Sequence, residues 1–220
     1  MNTSTDTLKL HYFTLNSRGA IPRAILYSNG VNFIDQQYNF EEWGKVKKSG
    51  DFEFEQMPML EAEGMLLTQS IAIDLYLSRK YNLLGTNLIE EYLIISERAS
   101  YDDFYPKFRP GVFPMTDQER TNQTAKEKEF LEIHAPFYLG IYEQRFNKNG
   151  GKFAVGNTFS LADIYLTVHL TQIFKQSGRK DVYEKVLIKH APNVAAHIEK
   201  IAKNELASYY EKGYIAEAVI

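Results

Sequence analysis

"QMPMLEAEGMLLTQSIAIDLYLSRKY", residues Gln56–Tyr81, holds two short apolar runs, Met59–Ala62 and Met65–Leu67, separated by Glu63-Gly64. A polar residue and a glycine between two such runs are hairpin chemistry, because glycine enters the left-handed region without steric penalty. Directly afterwards the period changes from two to about three and a half. Ser70 stands where an N-cap hydroxyl belongs, Ile71, Ile73/Asp74 and Leu75/Leu77 recur at helical spacing, and Arg79 and Lys80 occupy the last turn, where cations complement the helix dipole. The stretch predicts two antiparallel strands followed by a helix.

Upstream, Leu8, Leu10 and Tyr12 alternate with Lys9, His11 and Phe13, the pattern of a strand buried more on one side. "RGAIPRAILYSNG" places Ile21, Ala24, Ile25 and Tyr27/Ser28 on one helical face and Gly30 just past its end. "NFIDQQYNF" alternates again, and a short helix around Trp43–Lys48 is expected after it. These elements make a βαβ unit, and with the hairpin and its helix the order is β-α-β-α-β-β-α. That order predicts a small α/β domain on a mixed four-stranded sheet.

Downstream no strand pattern recurs. "NLLGTNLIEE" carries glycine and polar breakers between helical patterns, so the linker falls near Leu83–Asn87, between domains 1–83 and 88–220. Helices are expected over Leu88–Phe108, ended by Pro106 and Pro110, then Asp117–Phe146, Leu161–Gln176, Val182–Lys189 and Asn193–Tyr210. In "GNTFSLADIYL", Ser160 and Asp163 form an S-x-x-D capping box with Phe159 and Ile164 as its staple. An acid there initiates a helix, so Asp163 is read as structural and not catalytic.

Composition narrows the chemistry. The chain has 220 residues, 44% hydrophobic and 24% charged, which suits a globular protein of one large or two small domains. A net charge of −3 supplies no positive field to attract nucleic acid or anionic lipid. The absence of cysteine excludes protein disulfides, thiolate metal sites and CxxC redox chemistry, so any sulfur chemistry belongs to a ligand. The polar start "MNTSTDT", and the lack of an apolar run approaching the roughly 20 residues of a membrane helix, make the cytoplasm the expected location. Asn2-Thr3-Ser4 and Asn122-Gln123-Thr124 match a glycosylation pattern by chance on this reading.

No phosphate-binding glycine loop, nucleophile elbow or helical zinc pair is present, and His11, His134, His169, His190 and His197 lack the spacing of helical metal ligands, so no metal is expected. What remains is a convergence at one end of the sheet. Tyr12 ends the first strand, Arg18 begins the first helix, Pro58 precedes a strand, and Gln69-Ser70 open a helix. Loops at a sheet end and a hydroxyl-bearing helix N-terminus together suit a small, polar, anionic ligand. Each residue also has a packing reading: Tyr12 is one of 15 tyrosines, Ser70 serves as a cap, Pro58 shapes a turn, and Trp43, the sole tryptophan, serves as a buried anchor.

Taken together, "LHYF" followed by Arg18 and Arg23, "FEEWGKVKK", "FEQMPMLEAEG", "LTQSIAIDLYLSRKYNLLG", "YDDF" and "GNTFSLADIYL" resemble the glutathione transferase family, its sigma class in particular, over nearly the whole chain. The resemblance implies a thioredoxin-like N-terminal domain, an all-helical C-terminal domain, a homodimer, and glutathione as co-substrate for conjugation to small hydrophobic electrophiles in detoxification, with peroxidase activity alongside. It implies that Tyr12, assisted by Arg18, hydrogen-bonds the glutathione sulfur. Near a thiol pKa of ~8.5, each unit of depression gives roughly tenfold more thiolate at neutral pH. Trp43 and Lys47 would hold the glycyl end, Gln56 and Met57 the cysteinyl part with Pro58 in cis, Gln69 and Ser70 the γ-glutamyl carboxylate, and Asp103 the ammonium from the neighbouring subunit. The electrophile is expected between the domains, against Phe13, Leu15, Tyr105 and Phe108. Where the family carries "RGRAE" this sequence reads "NSRGAIPR", which keeps Arg18 while the surrounding small and acidic residues differ. The tryptophan that the animal prostaglandin D synthases of the class use in the fourth helix is missing, and Ala99 precedes Asp102 and Asp103. Two other readings stay open: a ligandin-like or crystallin-like binding protein, and a glutathione-dependent isomerase of the prostaglandin D synthase type.

Overall fold

In the computed structural model, which describes residues 7–112, 114–174 and 180–213, the strands are β1 (Leu8–Phe13), β2 (Phe33–Tyr38), β3 (Met59–Ala62) and β4 (Met65–Thr68). They form one sheet in the order β2-β1-β3-β4, with β1 parallel to β2 and antiparallel to β3, and β4 closing the hairpin. Glu63 (φ 52°) and Gly64 (φ 74°) make that hairpin turn with both central residues left-handed. Such a turn matches the twist of the flanking strands. The helices of this part are α1 (Ala20–Ser28), α2 (Phe40–Val46) and α3 (Ser70–Lys80). The order and the mixed sheet are those read from the sequence.

Alternation divides the sheet into two faces. Leu10 and Leu60 are paired and fully buried, and Tyr12 shares their face under α1. His11 points the other way, into an aromatic cluster in which Phe52 stacks edge-on with Trp43 of α2 (4.9 Å between centroids) and with His11 (5.8 Å). α1 ends as expected: Gly30 (φ 62°) follows it, and the Val31 N–H reaches back to the Leu26 carbonyl. α3 starts one residue earlier than the Ser70 cap predicted. Gln69, at φ 68°, is the N-cap, because its carbonyl accepts the first helical bond, from Ile73, while Ser70 is already helical.

The second part contains α4 (Leu88–Val112), α5 (Asp117–Glu129), α6 (Ala135–Lys148), α7 (Leu161–Phe174), the short α8 (Lys180–Val182) and α9 (Ile188–His190), α10 (Pro192–Lys203) and α11 (Ala207–Glu211). α7 is buried on nearly every side, taking Asp163, Thr167, His169 and Thr171 into the interior with its apolar residues. Three expectations fail here. Pro106 and Pro110 lie inside α4 and do not end it; Phe104 and Phe108, buried against Phe130, anchor the helix across both. The expected helix Asp117–Phe146 contains a π-turn at Phe130–His134, where the Ala135 N–H bonds Phe130 five residues back and Pro136 has no N–H to give. The expected helix Asn193–Tyr210 breaks after Lys203, where the Asn204 side chain caps the Lys200 carbonyl. The expected end of α7 at Gln176, the Asn2–Ser4 motif and the last residues of the 88–220 domain lie outside the described residues.

Two units result. The described residues of Met1–Leu83 and Glu205–Ile220 form one, and those of Leu84–Asn204 the other. α11 thus belongs with the sheet, where it docks on α1, and not with the helices that precede it in the chain. In the helical unit Asp163 accepts from the N–H groups of Ala154 (2.7 Å) and Ser160 (2.9 Å), from Ser160 Oγ (3.0 Å) and from His197 Nε2 (2.8 Å). A carboxylate so surrounded is the structural initiator of α7 that its motif suggests.

Candidate functional site

β1 delivers Tyr12 to the end of the sheet, with its side chain only 4% exposed. The chain then turns through Asn16–Gly19, and this turn brings the Arg18 N–H to 3.1 Å from Tyr12 Oη, so that the phenol oxygen accepts a main-chain hydrogen bond. Ser17 sits in the left-handed region at φ 34° to make the turn. Beneath it lies Gly19, at which an added Cβ would stand 2.3 Å from Tyr12 Cδ1. Only glycine lets the ring lie this close to the backbone.

Arg23 locks the same region from α1. Its fully buried guanidinium donates to both carboxylate oxygens of Asp35 (3.1 and 3.0 Å), to the Leu15 carbonyl (2.8 Å) and to the Phe13 carbonyl (2.9 Å), and lies 5.6 Å from the Tyr12 ring centroid. Arg23 therefore orients the backbone on both sides of Thr14. It was noted in the sequence pattern but not as a site residue. Its spacing from Tyr12 gives no sign of the contact, which needs α1 folded back on β1.

Next to the turn is a shallow cleft lined by Arg18, Phe54, Gln56, Met57, Pro58, Thr68, Gln69 and Ser70. The Met57–Pro58 peptide is cis. Ser17, Glu55 and Gln69, three non-glycine residues with positive φ, flank this cleft, and such conformations concentrate at functional sites. At its floor α3 begins, and its first-turn N–H groups precede the first helical bond, a geometry that favours an anion.

Of the expected ligand contacts, Arg18, Gln56, Met57, Pro58, Gln69 and Ser70 come together in this cleft, and Tyr12 joins them through the Arg18 backbone. Phe54 and Thr68 line it without having been expected. Trp43 and Lys47 do not line it: Trp43 is packed between Phe13, Tyr38 and Phe52, and Lys47 ends α2. Phe13 packs on Phe40 and Trp43. In the helical unit Asp103 is exposed on α4, Tyr105 is half-buried, and Phe108 is an interior residue against Phe130. Among the described residues no group of three or more His, Asp or Glu side chains is arranged to hold a metal ion, and no helix is long and apolar enough to cross a membrane.

Behind the cleft, on the opposite face of β1, His11 Nε2 lies 2.6 Å from Glu61 and Nδ1 lies 2.8 Å from the Tyr38 hydroxyl. Burial holds the His11 pKa below its ordinary value against the pull of Glu61, whose own pKa is lowered by the hydrogen bond to His11.

A sheet of order β2-β1-β3-β4 with a cis-proline at its loop end, joined to a helical unit, defines a thioredoxin-like protein with an appended all-helical domain. The glutathione S-transferase N-terminal domain model matches residues 8–79, and the C-terminal domain model matches residues 102–213. Glutathione S-transferase 1 of Ascaris suum is 32% identical over 162 residues, 72% of this chain and 76% of that protein. Hematopoietic prostaglandin D synthase of Gallus gallus is 30% identical over 207 residues, 90% of this chain and 98% of that protein. The solved structure of the Fasciola hepatica sigma class enzyme superposes with a TM-score of 0.80 at 26% identity, covering 96% of this chain and 98% of the other. The chain belongs to the glutathione S-transferase family, whose enzymes use glutathione as co-substrate.

Proposed function

We propose that this enzyme adds the glutathione thiolate to small hydrophobic electrophiles in cytoplasmic detoxification, with Tyr12 as the residue that stabilises the thiolate. The observation that carries this is the Arg18 N–H donated to Tyr12 Oη beside the cleft. A hydroxyl that accepts one hydrogen bond donates its own proton more strongly, because chained hydrogen bonds polarise each other. Donated to sulfur, that proton favours thiolate over thiol. The thiolate then forms the S–C bond as the leaving group departs with the electron pair; toward an organic peroxide it takes the outer oxygen to become a sulfenic acid, releasing the alcohol, and a second glutathione converts that to the disulfide and water.

Gln56 and Met57 take the cysteinyl part of glutathione, and Gln69 and Ser70 its γ-glutamyl carboxylate at the α3 N-terminus, with Pro58 shaping the loop. The Lys47 ammonium takes the glycyl carboxylate, with Trp43 beside it. Phe13 and Leu15 receive the electrophile. Leu88 (81% exposed), Ile89 (68%), Tyr92 (66%) and Leu93 lie on one face of α4, an apolar surface that a second copy of the chain covers in a homodimer, from which Asp103 reaches the partner's glutathione. Sedimentation at micromolar concentration is expected to give twice the chain mass; a monomer there contradicts the dimer.

The test of the central claim is Tyr12→Phe. Glutathione is expected to bind with little change, while turnover of 1-chloro-2,4-dinitrobenzene falls by about 100- to 1000-fold, the range for loss of one oriented donor. Undiminished turnover overturns the role of Tyr12. An isomerase reading has the support of the Gallus gallus relative, and conversion of an endoperoxide substrate without conjugation activity would favour it.

A further inference from the structure

The turn that presents Arg18 to Tyr12 is held from three directions. Gly19 admits the Tyr12 ring, and Arg23 fixes the carbonyls of Phe13 and Leu15. The third hold comes from the far end of the chain. α11 lies on α1, where Ser208 Oγ donates to the Tyr27 carbonyl at 2.8 Å. Tyr209 beside it is 1% exposed, and its hydroxyl donates to Asn16 Oδ1 at 3.2 Å. Asn16 is itself buried and opens the turn, its carbonyl accepting the Gly19 N–H at 3.0 Å. Its neighbour Ser17 is the left-handed residue, a conformation that a serine keeps only when its surroundings impose it.

We propose that Tyr209 is a positioning residue for Tyr12: by holding Asn16 it keeps the Asn16–Gly19 turn in the conformation that gives the Arg18 N–H to the phenol oxygen. Docking of α11 on the sheet unit thereby sets how strongly Tyr12 lowers the thiol pKa of bound glutathione, and whatever lifts α11 weakens the enzyme at neutral pH without touching the substrate. The proposal rests on Tyr12 as the thiolate-stabilising residue. Without the anchor the turn relaxes toward backbone angles that serine prefers, and the N–H moves off the hydroxyl.

The experiment follows the ultraviolet absorbance of bound glutathione thiolate against pH, with kcat and KM for conjugation, in Tyr209→Phe, which keeps the ring and removes the hydroxyl. The bound thiol pKa is expected to rise by about half a unit to one unit, lowering kcat/KM near pH 6.5 by roughly three- to tenfold, with recovery at high pH and KM for glutathione within about twofold. Asn16→Ala should reproduce the shift, and the double variant should add little to either. Ser208→Ala loosens α11 while keeping the Tyr209 hydroxyl on Asn16, and should shift the thiol pKa by less than Tyr209→Phe does; an equal or larger shift overturns the role of that hydroxyl. A Tyr209→Phe or Asn16→Ala protein with an unaltered pH profile, alongside a Tyr12→Phe protein that has lost its thiolate, overturns the positioning role alone. A Tyr12→Phe protein with its thiolate intact overturns the functional reading and this proposal with it.

Discussion

At Gly19 a methyl group would meet the Tyr12 ring at 2.3 Å, so burying this tyrosine and giving its hydroxyl a role are two results of one arrangement. The ring packs on bare backbone, and the same backbone one residue earlier supplies the N–H for its oxygen. Gly19→Ala must push the ring or the turn aside. Conjugation turnover is expected to fall at least tenfold in steady-state assays while the protein stays folded by circular dichroism. Arg23→Ala is more damaging, since it removes the cation paired with the Asp35 carboxylate and leaves two carbonyls without their guanidinium donors. Removing one partner of a buried pair destabilises by about 3–5 kcal/mol, a loss that urea unfolding would register directly. For the candidate site, residue types at sequence spacing were enough to single out Tyr12, Arg18, Pro58, Gln69 and Ser70, while Gln56 and Met57 came only from the family resemblance. They could not show that Trp43 is wedged among Phe13, Tyr38 and Phe52, or that Arg23 touches the Tyr12 ring, because both contacts join segments that only the folded sheet brings together.

Helices obey local rules until packing overrides them. Gly30 ends α1 where a left-handed residue is required, and Glu63-Gly64 turns the hairpin, both readable from the residues alone. Pro106 and Pro110 carry the strongest local stop signal, yet α4 runs through both, because Phe104 and Phe108 are worth more buried than the lost hydrogen bonds. Gly111, near the end of α4, touches α5 so closely that an added Cβ would lie 2.6 Å from the Glu127 backbone. Gly111→Ala gains about 1 kcal/mol of helix propensity but forces two backbones apart, and overpacking of about 1–3 kcal/mol should exceed the gain. A lower melting temperature checks this, and a higher one refutes the close crossing. Asp163→Ala removes the acceptor of four donors at the start of α7. The largest losses come from breaking such buried networks, so a destabilisation of about 4 kcal/mol or more is expected in denaturant titration.

Across the whole molecule the buried histidines set the response to acid. His11 and His169 both have pKa values lowered by burial, His169 far below the ordinary 6.5 and further opposed by the nearby Arg98. In the unfolded chain they take up protons near 6.5, while in the native state they resist. Their contribution to stability is therefore complete above about pH 6.5 and is lost as pH falls below it toward their native values. Glu97 has the opposite sign: burial raises its pKa, so its contribution is largest in acid and declines as pH rises through its native value. The melting temperature is expected to drop between pH 7 and 5. His169→Phe, which keeps a flat ring on Tyr101, should flatten that slope; an unchanged slope would remove His169 from the explanation.

By itself the sequence determined the order of strands and helices, the hairpin, the change from sheet to helix near Leu83 and the residues gathered around Tyr12. Each depends on periodicity, turn chemistry or capping within a few positions. Tertiary structure alone decided the continuation of α4 through its prolines, the π-turn at Phe130–His134, the Arg23 clamp and the return of α11 to the first unit, where Tyr209 meets Asn16. Those outcomes balance a local preference against contacts from distant segments, and the strength of such contacts depends on distances that no local pattern encodes.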